Sequence, residues 1–134
     1  MPTLVLRLDG ILDPAGRYKN PLTKESYSNT YKSEAINFVD GENRGWSGYR
    51  TWLDRYEILN KIHSYQVLLV IASTGVGKTV IVPKLLLHYF GYKEKVICTT
   101  PKTSSTRLAA EYAGTLMDVP LIKKDDIKKK IISY

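Results

Sequence analysis

The sequence predicts an α/β fold: a βαβα unit with parallel strands, preceded by a small irregular α+β N-terminal segment. Three observations carry this expectation. Residues 66–72 (Gln-Val-Leu-Leu-Val-Ile-Ala) form an unbroken apolar, β-branched run of the kind buried on both faces of a parallel sheet. A glycine loop and a helix-length segment from about Lys78 to Phe90 follow directly. Val96–Thr100 then repeats the strand pattern and Thr103–Met117 the helix pattern, and this order implies a right-handed crossover.

The elements can be justified in turn. Residues 3–12 read as a short strand with a turn at Asp9-Gly10. Residues 13–49 are polar and tyrosine-rich, and Asp13-Pro14, Asn20-Pro21, Gly41, Gly45 and Gly48 mark turns, with a short helix near Tyr31–Phe38. Trp52, Tyr56, Leu59 and Ile62 recur at helical spacing and predict a helix over 51–63. Gly91 would close the Lys78–Phe90 helix, and Pro83 lies near its first turns. In the second helix Leu108, Tyr112 and Leu116 form an apolar stripe. This gives three regions: an adaptor or arm over 1–49, a phosphate-loop domain over 50–120, and a basic tail over 121–134, read as a charged helix or frayed end.

Charge and composition narrow the function. The net charge of +7 falls entirely on residues 50–134, because residues 1–49 sum to zero. A basic lobe suits a polyanionic partner such as nucleic acid, and equally a solubilising surface. No apolar run nears the roughly 20 residues that span a bilayer, so no membrane association and an intracellular, soluble protein are expected. A single cysteine, Cys98, excludes an internal disulfide and a cysteine metal cluster; within a buried strand it would be inert. His63 and His88 fall near helix ends, where they would satisfy carbonyl groups.

The strongest motif is Ala72-Ser73-Thr74-Gly75-Val76-Gly77-Lys78-Thr79, which reads as a phosphate-binding loop. Its glycines let backbone N–H groups converge on phosphate oxygens, and the helix N-terminus adds a favourable dipole. Lys78 would meet the β- and γ-phosphates of ATP, and the Thr79 hydroxyl would coordinate Mg²⁺. The pattern G-x-x-x-x-G-K-[ST] is broken only at Ala72, where a small side chain suffices. At the next strand end, Thr100, Pro101 and Lys102, followed by Thr103-Ser104-Ser105-Thr106, offer hydroxyls and an ammonium to the phosphates of single-stranded RNA or DNA; a hydroxyl-rich helix cap explains the same residues. Trp46 and Trp52 around Gly48-Tyr49-Arg50 could stack bases or pack beneath a helix, and Tyr18, Tyr27 and Tyr31 could serve a docking arm or a small tyrosine-rich module.

The order of A-S-T-G-V-G-K-T, the Val-Ile-Val-Pro-Lys helix, T-T-P-K and the second helix resembles the first half of the first RecA-like domain in superfamily 2 DExH/DEAH-box helicases. It is most like the nucleoside triphosphatase-helicases of poxviruses and other large DNA viruses. The resemblance covers about residues 52–120 and is not expected to reach 1–49. It implies a truncated P-loop, RecA-like unit, with Lys78 and Thr79 in catalysis and Ser73, Thr74, Gly75, Val76, Gly77, Lys78 and Thr79 around the nucleotide. It further implies that Thr100, Pro101 and Lys102 contact a strand backbone. Where many relatives have an adenine-stacking arginine this chain has Tyr112, which could stack on the base or pack in the core. A virus relation extends the expected location to a cytoplasmic virus factory or a virion.

No acidic D-E-x-H segment, helicase linker or arginine finger follows in this sequence. The chain is therefore expected to bind nucleotide without turning it over, as the front part of a longer helicase whose remainder, or another protein, is its partner. Two alternatives stand beside this: a small-molecule kinase, and a non-enzymatic, virion-associated interaction module with a vestigial phosphate loop.

Overall fold

The computed structural model describes residues 13–73, 77–122 and 132–133, with only the backbone described at 121–122 and 132–133. The predicted strand at 3–12, Thr74, Gly75 and Val76 of the loop, and most of the lysine-rich tail lie outside the described residues.

The first helix, α1 (Asn29–Ala35), starts where the Ser28 hydroxyl accepts the N–H of Tyr31 at 3.2 Å. A tight hairpin follows. Phe38–Val39 (β1) pairs antiparallel with Glu42–Asn43 (β2) across Asp40-Gly41, both of which have positive φ, as a two-residue hairpin turn requires. A 3₁₀ turn at Trp46–Gly48 leads into α2 (Arg50–Leu53) and α3 (Arg55–Ser64), which break at Asp54 where one helix is expected from the sequence. Helix α4 spans Lys78–Tyr89, with Gly91 just beyond its end at φ 62°. Helix α5 spans Thr103–Met117, as its apolar period predicts.

One core joins the residues on either side of position 49. Tyr27 stacks on Tyr31 with ring centroids 4.1 Å apart, and Trp46 meets Trp52 edge-on at 4.9 Å. Leu59 of α3, Ile81 and Leu85 of α4 and Leu116 of α5 complete the cluster. The tryptophans therefore pack beneath helices, and Tyr27 and Tyr31 are buried in the core.

Polar contacts bind the first described segment to the end of α5. Asp118 takes the left-handed conformation at φ 53°, and its carboxylate accepts the Ser28 N–H and hydroxyl, both at 2.7 Å. The Asn20 amide donates to the carbonyls of Met117 and Asp118 at 2.8 and 3.2 Å. From α4, Lys84 donates to the Leu116 carbonyl at 2.8 Å while fully inside the protein. Its ammonium also faces the Tyr31 ring. Burial draws its pKa down to about 7.

The two predicted strands of the phosphate-loop unit take a different form. Residues 66–73 and 95–100 belong to no described ladder. Val67, Leu69 and Ile71 are exposed at 87, 80 and 84 %, whereas Leu68 and Val70 are half-buried. That is period-two exposure with one face uncovered, not the two-sided burial expected. Ile97 is likewise 86 % exposed, and Leu108 is exposed on α5. Cys98 is exposed too, which corrects its placement in a buried strand. A strand is buried on both faces only when neighbouring strands and helices cover both, and here only the Leu68 and Val70 side is even half covered. Among the described residues, the parallel pairing joins Leu121–Ile122 (β3) to Ile132–Ser133 (β4).

Candidate phosphate-loop site

Gly77 sets the geometry of the loop's exit. It caps α4 from the left-handed region at φ 82°, where L side chains are strained. A Cβ there would lie 2.5 Å from the Tyr49 ring. Lys78 then opens the helix, and its ammonium folds back onto the carbonyl oxygen of Ala72 and, at 3.4 Å, that of Ser73. Two neutral carbonyls are weak partners for an ammonium compared with an anionic phosphate, so a phosphate group could draw Lys78 away from them. Thr79 is exposed on the first turn of α4, and Ser73 is exposed at the described edge of the loop.

For ATP, this donor set fits: an ammonium, a hydroxyl and the free N–H end of a helix of three turns. For Mg²⁺ the chain offers the Thr79 hydroxyl. Among the described residues no group of three or more His, Cys, Asp or Glu could hold a metal. Mg²⁺ commonly binds through substrate phosphates together with one or two protein groups, and Thr79 would be such a group.

The second segment is engaged locally. The Thr100 hydroxyl bonds the Thr106 hydroxyl and lies 3.2 Å from the Lys102 carbonyl oxygen. Thr106 donates to that same carbonyl from its side chain and its backbone, each at 3.0 Å. Pro101 and Lys102 remain exposed. The N-cap position is Lys102 and no side chain caps a helix N–H, so the hydroxyl cap that the sequence allowed is not formed; the hydroxyls turn to a carbonyl and the Lys102 side chain is left at the surface.

Tyr112 is half-buried against the core, and its hydroxyl lies 3.0 Å from that of Tyr49. Burial first, and then this hydrogen bond, push its phenol well above the usual range. The structure thus brings Tyr112, Tyr49 and Gly77 into one chain of contacts.

One buried group escaped the sequence reading and another is placed differently from it. Lys84 falls on the same helical face as Ile81, Leu85 and His88, so the period alone marks it as inward despite its charge. His88 does not satisfy helix carbonyls. It is buried, its Nδ1 has no partner, and burial followed by the Lys84 charge holds it well below the usual imidazole range. His63 Nδ1 lies 2.8 Å from the Tyr89 hydroxyl. A cavity of about 470 Å³ beside α1 and the end of α5 includes none of the candidate residues.

The chain is 40 % identical over 112 residues to a protein of Acanthamoeba polyphaga mimivirus named "Putative ATP-dependent RNA helicase". The chain is similar to a helicase-named protein. That match takes in 84 % of this chain and 15 % of the relative. A second helicase-named protein of the same virus is 27 % identical over 107 residues, 75 % of this chain and 6 % of its own length. The chain thus spans a small part of each helicase relative. With at most 22 residues left outside the first match, positions 23–112 fall within it. The relation therefore reaches well into 1–49, further than the motifs alone indicate. No family model and no solved structure matches the chain.

Proposed function

We propose that this chain is the nucleotide triphosphate-binding part of an ATP-dependent helicase that acts on single-stranded RNA or DNA. The observation that carries the reading is Lys78, first residue of α4, folded back onto the carbonyls of Ala72 and Ser73 beside the left-handed Gly77. In the proposed complex the ammonium exchanges those carbonyls for the β- and γ-phosphates of ATP, and Thr79 meets the Mg²⁺ that accompanies them. Lys102, exposed at the start of α5, contacts the strand's phosphates. Helicase-named relatives support the assignment, as does the concentration of positive charge in residues 50–134.

In this reading residues 66–72 and 96–100 are two strands of a RecA-like parallel sheet, and their uncovered apolar face receives the remainder of the helicase. The period-two exposure of Val67, Leu69 and Ile71 supports that assignment. The chain supplies a grip on the phosphates and lacks the acidic and arginine groups that activate water and stabilise developing charge, so it binds without turnover. Calorimetric titration with Mg·ATP tests the proposal: binding by the chain, and its loss in Lys78→Ala, are expected. Equal binding by both would reject it. A salt-dependent shift of single-stranded RNA or DNA, weakened by Lys102→Ala, tests the second half.

A further inference from the structure

Tyr49 stands outside every motif that the phosphate loop defines, yet it touches the loop's exit. Its backbone is fixed from both sides. The N–H donates to Trp46 at 3.1 Å, ending the 3₁₀ turn, and the carbonyl accepts from Leu53 at 3.0 Å, starting α2. The side chain then crosses to α4. Its Cδ2 and Cε2 lie 2.5 and 3.3 Å from where a Cβ on Gly77 would stand, so the ring fills the space that glycine leaves open. Its hydroxyl reaches the Tyr112 hydroxyl of α5 at 3.0 Å. One side chain therefore spans three elements at the residue immediately before Lys78.

We infer that Tyr49 is a positioning residue for the phosphate loop, acting through Gly77, with Tyr112 as the brace that holds its ring in place. Resting on the phosphate-binding reading above, the inference assigns the loop's precision to a residue ahead of the domain rather than to the loop alone. The physical reason is entropic. Gly77 populates many backbone conformations when unsupported; its carbonyl is held by the Ile81 N–H at 2.8 Å, and packing against it narrows the conformations further. The ring supplies that packing. The hydroxyl pair, half-buried and away from full hydration, stops the ring from swinging off. The ligand that senses this is the polyphosphate, because the groups placed by Gly77 are the α4 N–H groups and Lys78.

The test titrates the full chain with Mg·ATP and with inorganic tripolyphosphate. Tyr49→Phe keeps the ring and removes the brace; it is expected to weaken both ligands about three- to tenfold, the scale of one neutral hydrogen bond. Tyr112→Phe should do the same, and the double variant should lose no more than either single one, since both break one contact. Tyr49→Ala should cost more than Tyr49→Phe. Thermal unfolding of each variant separates a folding effect from a binding one. If the wild-type chain binds in a Lys78-dependent way and Tyr49→Phe and Tyr112→Phe bind as it does, the inference fails and the phosphate-loop reading stands. An ATP-selective loss with tripolyphosphate unaffected would also overturn it, placing Tyr49 at the base. If the wild type binds neither ligand, both readings fall together.

Discussion

The ammonium of Lys84 stands 4.7 Å from the centroid of the Trp46 ring. It is buried, and among the described residues no carboxylate pairs with it. Its charge faces the aromatic rings and the carbonyl end of α5, the end of a helix that favours a cation. These partners offset only part of the lost hydration, which is why burial lowers its pKa to about 7.

That lowering fixes the sign of a pH effect. Between pH 7 and the ordinary lysine range, the unfolded chain holds a proton that the folded chain has lost, so stability rises with pH. Denaturant unfolding should show a gain of about 3 kcal/mol between neutral pH and about pH 9.5. Lys84→Met should flatten that rise and leave stability at pH 7 equal or higher, since an uncompensated buried charge is removed. An unchanged slope in the variant would rule out Lys84 as its origin.

His88 gives a second slope on the acid side. Its folded pKa lies well below its unfolded value, so the unfolded state takes up a proton first as pH falls below about 6.5. The His88 contribution to stability should be full above that value and decline below it. His88→Leu should remove this part of the acid limb in unfolding curves taken at a series of pH values. A wild-type-like decline in the variant would assign it to carboxylates instead.

Two glycines separate space from backbone strain. A Cβ on Gly45 would lie 2.3 Å from the Ala35 carbonyl oxygen, a backbone atom with nowhere to move. Gly45→Ala should destabilise by about 2–4 kcal/mol. Gly41 has open space around it but φ 78°, so Gly41→Ala should cost about 1–2 kcal/mol. The order of the two midpoints in urea unfolding checks this; a reversal would contradict the packing at Gly45.

The uncovered face of residues 67–71 predicts association. Exposed apolar patches of this kind are uncommon on monomers. Sedimentation should show concentration-dependent self-association of the chain. The Leu69→Lys, Ile97→Lys double variant should shift it toward monomer with no loss of thermal stability, because both side chains already face solvent. Association unaltered by these changes would place the contact elsewhere.

Helices were legible in the sequence because local period and caps determine them: Thr103–Met117 follows from its spacing, and the end of Lys78–Tyr89 from Gly91. The break at Asp54 was not, since the apolar positions Trp52, Tyr56 and Leu59 run through it unchanged. The loop lysine and its neighbours could be named from type and order alone. Tyr49 could not be joined to them, because its partners Gly77 and Tyr112 are distant in sequence and a tyrosine in a turn carries no signal of what it will reach. Residues 66–72 look like a strand buried on both faces because composition records what a segment is able to pair with. Exposure depends on which neighbours are there to cover it.

The ties from Asn20, Ser28 and Lys84 to Leu116–Asp118 also govern the order of events during synthesis. Ninety or more positions separate Asn20 and Ser28 from their partners. As the chain leaves the ribosome, α1, the hairpin and α4 have only their own local signals, which hold elements this short only marginally in water. Their core cannot close, and the buried lysine has no carbonyl to meet, until the last turn of α5 has emerged. A chain paused before Leu116 would lack those partners, so its interior would stay open and its short helices, deprived of packing, would be only marginally populated.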